Sequence, residues 1–190
     1  MKKSIPLILI FGLAACAHAA LAQDRVFYLG ASLGKTEAKE DACSGATLPC
    51  DRKDQTLGLQ AGLEFDRHFG AEIGYRSLGK VTEQNDNAGM TATVKSKLVE
   101  AVGIAALPIE RFSLYGKGGV YGARSVLTSS FLASGSSKNT NWTYGVGVRY
   151  DVLRRVGVRL EWQRYNNLGG NDVGFRSDVN TLALGAVFRF

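Results

Sequence analysis

Histidine is almost missing from this 190-residue chain, with two copies in all, and only His68 lies beyond the first 22 residues. A hydrolase built on Ser129, Ser130 or Ser134 has no imidazole left to serve as its base, since His68 sits in the polar turn Asp66-Arg67-His68. Cysteine is equally sparse at three copies, and no histidine or third thiol stands near Cys43 and Cys50 to complete a metal site. Adjacent acids such as Glu40 and Asp41 serve solvation. The net charge of +6, or +4 without Lys2 and Lys3, is spread along the chain with no basic block, which removes the footprint of a nucleic-acid binder. No stretch after Ala22 is long and apolar enough for a membrane-spanning helix. An enzyme, a cofactor-binding protein and a helical membrane protein are thereby set aside.

The first 22 residues read as a secretory signal: Lys2 and Lys3, an apolar run from Ile5 to Ala15, and Ala20-Leu21-Ala22 before Gln23. Ala17-His18-Ala19 offers an earlier cut, and Leu13-Ala14-Ala15-Cys16 has the form of a lipobox that would lipidate Cys16. Residues 23–190 are then one exported domain, and an oxidising compartment favours a disulfide between Cys43 and Cys50.

What the chain has in abundance is alternation. Residues 26–35, 56–65, 69–78, 97–107, 112–123, 142–151, 155–165 and 180–190 each repeat with period two, and 23 glycines are scattered through the chain, many inside these segments. Eight segments of about ten residues match the length of tilted transmembrane strands. The joints alternate too. Long polar stretches (36–55, 79–94, 124–141 and 166–179) follow the odd-numbered segments, and short reversals follow the even ones. All long joints therefore lie at one end and both termini at the other.

Polarity decides which face points where. Leu57, Leu59, Ala61, Leu63 and Phe65 share one parity against Gln60 and Glu64; Val156, Val158, Leu160 and Trp162 stand against Arg159, Glu161 and Gln163. A water-soluble ligand-binding barrel would turn the charged parity outward. In lipid the order reverses, because an outward Arg or Lys costs about 2–4 kcal/mol at mid-membrane. On segment 97–107 the need to turn Glu100 inward sends Val99, Ala101, Gly103, Ala105 and Leu107 outward. The expected fold is an all-β, eight-stranded antiparallel up-and-down transmembrane β-barrel with short periplasmic turns and long extracellular loops. Glu72, Arg149, Arg159 and Glu161 are expected to meet near mid-barrel, with Arg76 and Lys117 in reach, as an interior ion-pair network.

Val158–Gly169 (VRLEWQRYNNLG), Ala71–Val81 (AEIGYRSLGKV) and the terminal LGAVFRF together resemble the OmpA-like transmembrane β-barrel family of Gram-negative outer membranes. The resemblance runs over residues 26–190 and shows nothing like that family's following peptidoglycan-binding domain. It implies that Leu182, Leu184, Ala186, Phe188 and Phe190 form the closing signal read by the barrel-assembly machinery. It also implies an internal ion-pair gate, to which Glu72 and Arg159 correspond, whereas the family's basic position on strand four is Ile104 and its acidic position on strand six is Arg149. With two of four members different, a structural network is the plainer expectation.

The function expected on these grounds is a monomeric structural outer-membrane barrel that supports envelope integrity, with at most minor nonspecific solute leakage. The alternative is a surface adhesin acting through its extracellular loops, where Phe131 and Leu132 stand in a serine-rich stretch. The partners are outer-membrane lipid and lipopolysaccharide, the assembly machinery and, for the adhesin, host surface or matrix molecules.

Overall fold

A computed structural model describes residues 25–38, 50–51, 53–85, 90–129, 135–170 and 175–190. The strands are β1 (Val26–Ala38), β2 (Lys53–Glu64), β3 (Phe69–Asn85), β4 (Met90–Ile109), β5 (Phe112–Ser129), β6 (Gly135–Asp151), β7 (Val156–Gly170) and β8 (Phe175–Arg189). A two-residue segment, Cys50–Asp51, precedes β2 and pairs with Glu83 and Thr82 of β3. Every strand is antiparallel to its chain neighbours, and β1 pairs with β8 from Tyr28↔Arg189 to Ala38↔Val179, so the sheet closes on itself. Closure leaves no strand edge open along the apolar band, where β6 and β7 pair from Thr143↔Tyr165 to Asp151↔Gly157 and β2 and β3 from Leu57↔Ser77 to Glu64↔Gly70, and that is what a β-structure in hydrocarbon requires.

The wall is inside-out by the standards of a soluble protein. Leu33, Leu59, Ile73, Val99, Val120, Val146, Leu160 and Leu184 are all exposed on the outer surface. Glu72, Gln60, Thr56, Thr143, Gln163 and Thr181 are buried inside. The exposed band is bounded at one end by Phe112 against Tyr150 (centroids 4.7 Å apart) and Phe27 against Phe190 (5.7 Å), and toward the other by Trp142 stacked on Tyr144 (5.2 Å). These are the aromatic girdles of a transmembrane barrel.

The short-turn end is tightly held. In the β2–β3 turn Asp66 Oδ1 accepts the backbone N–H of His68 (2.6 Å) and of Phe69 (2.8 Å). Glu110 starts the two-residue β4–β5 turn at φ 54°, the left-handed region that tight hairpins use.

At the opposite end the strands run further than their hydrophobic alternation. Residues 79–94, 124–141 and 166–179, expected as long loops, are mostly strand: β3 continues to Asn85, β4 begins at Met90, β5 and β6 reach Ser129 and Gly135, and β7 and β8 reach Gly170 and Phe175. The correction has a physical reason. Beyond the membrane the outer face of a strand no longer needs apolar residues, so the outward half of the alternation ends while the backbone ladder continues and the inner face still buries Leu168 and Val179. Two irregularities bend this upper wall, between Ser77 and Lys80 with Gly79 at φ 77°, and between Tyr165 and Leu168 with Asn167 at φ 52°.

Candidate functional site

The inward parity of β3, β4, β5 and β7 converges at mid-barrel. Glu72 and Arg76 come from β3, Glu100 from β4, Lys117 from β5, and Arg159 and Glu161 from β7; none is more than 5% exposed. Three carboxylates thus meet three cations. Arg159 grips Glu72 with two hydrogen bonds, Nη1 to Oε2 at 2.7 Å and Nη2 to Oε1 at 3.3 Å. Lys117 Nζ lies 2.9 Å from Glu161, 3.5 Å from Glu72 and 3.6 Å from Glu100. Arg76 Nη2 lies 3.2 Å from Glu161 and 4.0 Å from Glu100.

Each carboxylate also accepts one tyrosine hydroxyl: Tyr28 donates to Glu72 (2.9 Å), Tyr115 to Glu161 (3.0 Å) and Tyr165 to Glu100 (2.9 Å). Gln163 Nε2 adds a donor to Glu100 at 2.6 Å. The remaining lone pairs of buried carboxylates need such donors, since burial without them would be prohibitive. Room for the rings comes from glycine on facing strands. A Cβ on Gly62 or Gly147 would overlap the ring of Tyr28 or Tyr115, respectively.

Five of the six residues expected in the network therefore come together, and Arg149 does not. Its guanidinium pairs with Glu64, and its Nε lies 3.5 Å from Asp151, at the short-turn end with its side chain 21% exposed. Alternation places Arg149 on the inner face, beside Arg159 in the register, but does not say toward which end its long side chain runs. Glu100, Tyr28, Tyr115, Tyr165 and Gln163 were missing from the expected network. They share the inward parity of its members, so an inventory of every polar residue on that parity would have found them.

Below the cluster, a cavity of about 40 Å³ is bordered by Tyr28, Glu64, Tyr115, Arg149 and Arg159. It has room for water and little more. Leu182, Leu184, Phe188 and Phe190 lie on the outer face of the barrel, with Phe190 N–H donating to Phe27 O at 2.9 Å. Cys43 lies outside the described residues, and with it the expected Cys43–Cys50 disulfide; residues 1–24, including Cys16, and Phe131 and Leu132 lie outside them as well. Among the described residues no cluster of His, Cys, Asp and Glu could hold a metal ion.

The model of the OmpA-like transmembrane domain matches residues 22–190. The chain belongs to this family. It is an outer-membrane barrel of the Gram-negative type with its termini on the periplasmic side. Outer membrane protein A of Shigella flexneri is 27% identical over 198 residues, covering 100% of this chain and 56% of that protein. The Klebsiella pneumoniae protein of the same name is 27% identical, over 88% of this chain and 52% of its own length. The chain thus spans a little over half the length of such curated relatives. Among solved structures, Neisserial surface protein A aligns with a TM-score of 0.67 at 14% identity, and the attachment invasion locus protein Ail of Yersinia pestis with 0.60 at 20%. Each alignment covers 88% of this chain and 100% of the other. At these identities the likeness is one of fold.

Proposed function

We propose that this member of the family is a filled barrel that works from its extracellular end, as a surface-contact protein. The observation that carries the reading is the height of the wall. β4 and β5 remain paired without interruption from Ala92↔Ser129 to Ile109↔Phe112. At about 3.3 Å per residue and a tilt near 45°, the 20-residue β4 rises roughly 45 Å, against an apolar band about 25 Å tall. The excess lies beyond the outer aromatic girdle, because the other end closes in a two-residue turn. Such a projecting wall presents polar strand ends clear of the membrane, and its paired backbone limits the ordering entropy that recognition would otherwise cost. The fold neighbour Ail bears the name of an attachment invasion locus protein, and one of its structures holds the heparin analogue sucrose octasulfate.

The test is adhesion by bacteria displaying the protein. Replacing residues 130–134, which join β5 to β6, with a Gly-Ser linker is expected to reduce attachment to epithelial cells or matrix-coated plates while the barrel still assembles. Unchanged attachment with intact assembly contradicts the reading.

Support of envelope integrity is the second reading, favoured by the charge cluster that occupies the lumen. It predicts that loss of the protein sensitises cells to detergent and that a variant lacking residues 130–134 restores resistance.

A further inference from the structure

Three cations stand side by side on the outer wall just beyond the apolar band. In the sheet register Lys97 of β4 is opposite Arg124 of β5, and Arg124 is opposite Lys138 of β6. All three point outward and are exposed, as is Lys95 one outward position further from the membrane. No ion pair among the described residues involves any of these four. Strands in a sheet lie about 4.8 Å apart, so like charges directly opposite one another repel and destabilise the pairing. The adjoining part of the wall is arranged differently. There Arg164 of β7 is neutralised by Asp178 of β8, Nη2 to Oδ2 at 2.5 Å.

Directly below the cations the surface turns apolar and concave. The next outward row toward the membrane is Tyr75, Val99, Gly122 and Thr140, and the lack of a side chain at Gly122 leaves a groove between Val99 and Thr140. Below that lie Ile73, Val120 and Trp142, all more than half exposed. A row of cations above a greasy groove that runs into the membrane suits an amphiphile with an anionic head.

We infer that Lys97, Arg124 and Lys138 form a binding site for a phosphorylated glycolipid of the outer leaflet, its phosphates on the three cations and an acyl chain along the groove at Gly122. The groove favours a lipid over a soluble polyanion, which would use the charges and leave the apolar strip bare. Lys95 extends the positive potential toward the solvent side of the headgroup. The site rests on the outer-membrane placement and is independent of the adhesive role.

The experiment measures lipid binding to the folded protein in nonionic detergent by native mass spectrometry. The probes are bis-phosphorylated lipid A, the same lipid with its phosphates removed, and a sulfated oligosaccharide without acyl chains. A Lys or Arg near a lipid phosphate contributes about fivefold in affinity, so K97Q/R124Q/K138Q is expected to weaken phosphorylated lipid A on the order of a hundredfold, and R124Q alone several-fold. K35Q, on β1, is expected to leave binding unchanged. Heat-modifiable migration establishes that each variant is folded, and the single variants carry the test if the triple one is not. Equal affinity of parent and variants, or of phosphorylated and dephosphorylated lipid, overturns the site. Binding of the acyl-free oligosaccharide as tight as that of lipid A overturns the lipid assignment.

Discussion

Lys117 of β5 stands directly opposite Ile104 of β4 in the sheet register, and its ammonium lies 2.9 Å from Glu161. The family resemblance calls for a cation at Ile104, and the neighbouring strand supplies it. A parallel exchange involves the acid expected at Arg149: Glu161 of β7, opposite Gly147 of β6, provides the carboxylate. The barrel keeps its charges in balance by moving them one strand sideways, because only the side-chain tip has to reach the centre.

Removing one partner should therefore cost more than removing a pair. Glu72→Gln leaves Arg159 and Lys117 short of a carboxylate and is expected to destabilise the barrel by about 3–5 kcal/mol, whereas replacing Glu72 and Arg159 together by Leu and Met should cost distinctly less. Urea titrations followed by the gel shift between folded and unfolded forms measure both. An equal loss in the two variants would mean that Glu72 and Arg159 are not coupled.

Gly62 is predicted to be intolerant of any side chain. Gly62→Ala drives a methyl into the Tyr28 ring and is expected to cost about 1–3 kcal/mol, and Tyr28→Ala should restore room for it in a double variant. Strictly additive losses in the same titration would show that the two positions do not meet.

Phe190 is predicted to matter more for assembly than for stability. It is 65% exposed and contributes one backbone bond to Phe27 and edge contacts to Phe188 (5.1 Å), so Phe190→Ala should barely change spontaneous folding into detergent. Insertion catalysed by the assembly machinery is expected to slow several-fold. Equal slowing in both assays would make it an ordinary strand residue.

Asp66 gives the periplasmic turn a pH dependence. The backbone N–H groups of His68 and Phe69 hold its carboxyl below the usual aspartate range. A carboxyl lowered in the folded state stabilises that state above its unfolded value of 3.8, and the contribution fades as pH falls through the lower folded value. The protection of the His68 and Phe69 amides relative to an unstructured peptide at the same pH should fall below about pH 4 in the parent, and Asp66→Ala should remove that fall. An identical acid response in Asp66→Ala would place its origin elsewhere.

The membrane-embedded part of this barrel was legible because lipid and lumen impose opposite demands on alternate residues. Leu182 and Leu184 could be assigned outward, and Glu72 and Arg159 inward, without coordinates. The direction of each long side chain was not legible: Arg149 and Arg159 pair across β6 and β7, yet Arg149 runs to the turn end, toward Glu64, while Arg159 reaches Glu72. The upper strands were not legible either. Lys95, Lys97 and Lys138 sit among Ser, Thr and Asn, where no hydrophobic period separates a strand from a loop, so the row that joins Lys97, Arg124 and Lys138 emerges only from the register.

The six-charge cluster and its three tyrosines fill the lumen at mid-barrel. Planar-bilayer recording of the purified parent protein at neutral pH tests this most directly, beside the triple variant Glu72→Ala, Lys117→Ala, Arg159→Ala. A silent parent and stepwise conductance in the variant are expected. Resolved, frequent channel openings in the parent, of the same size as in the variant, would contradict a filled lumen.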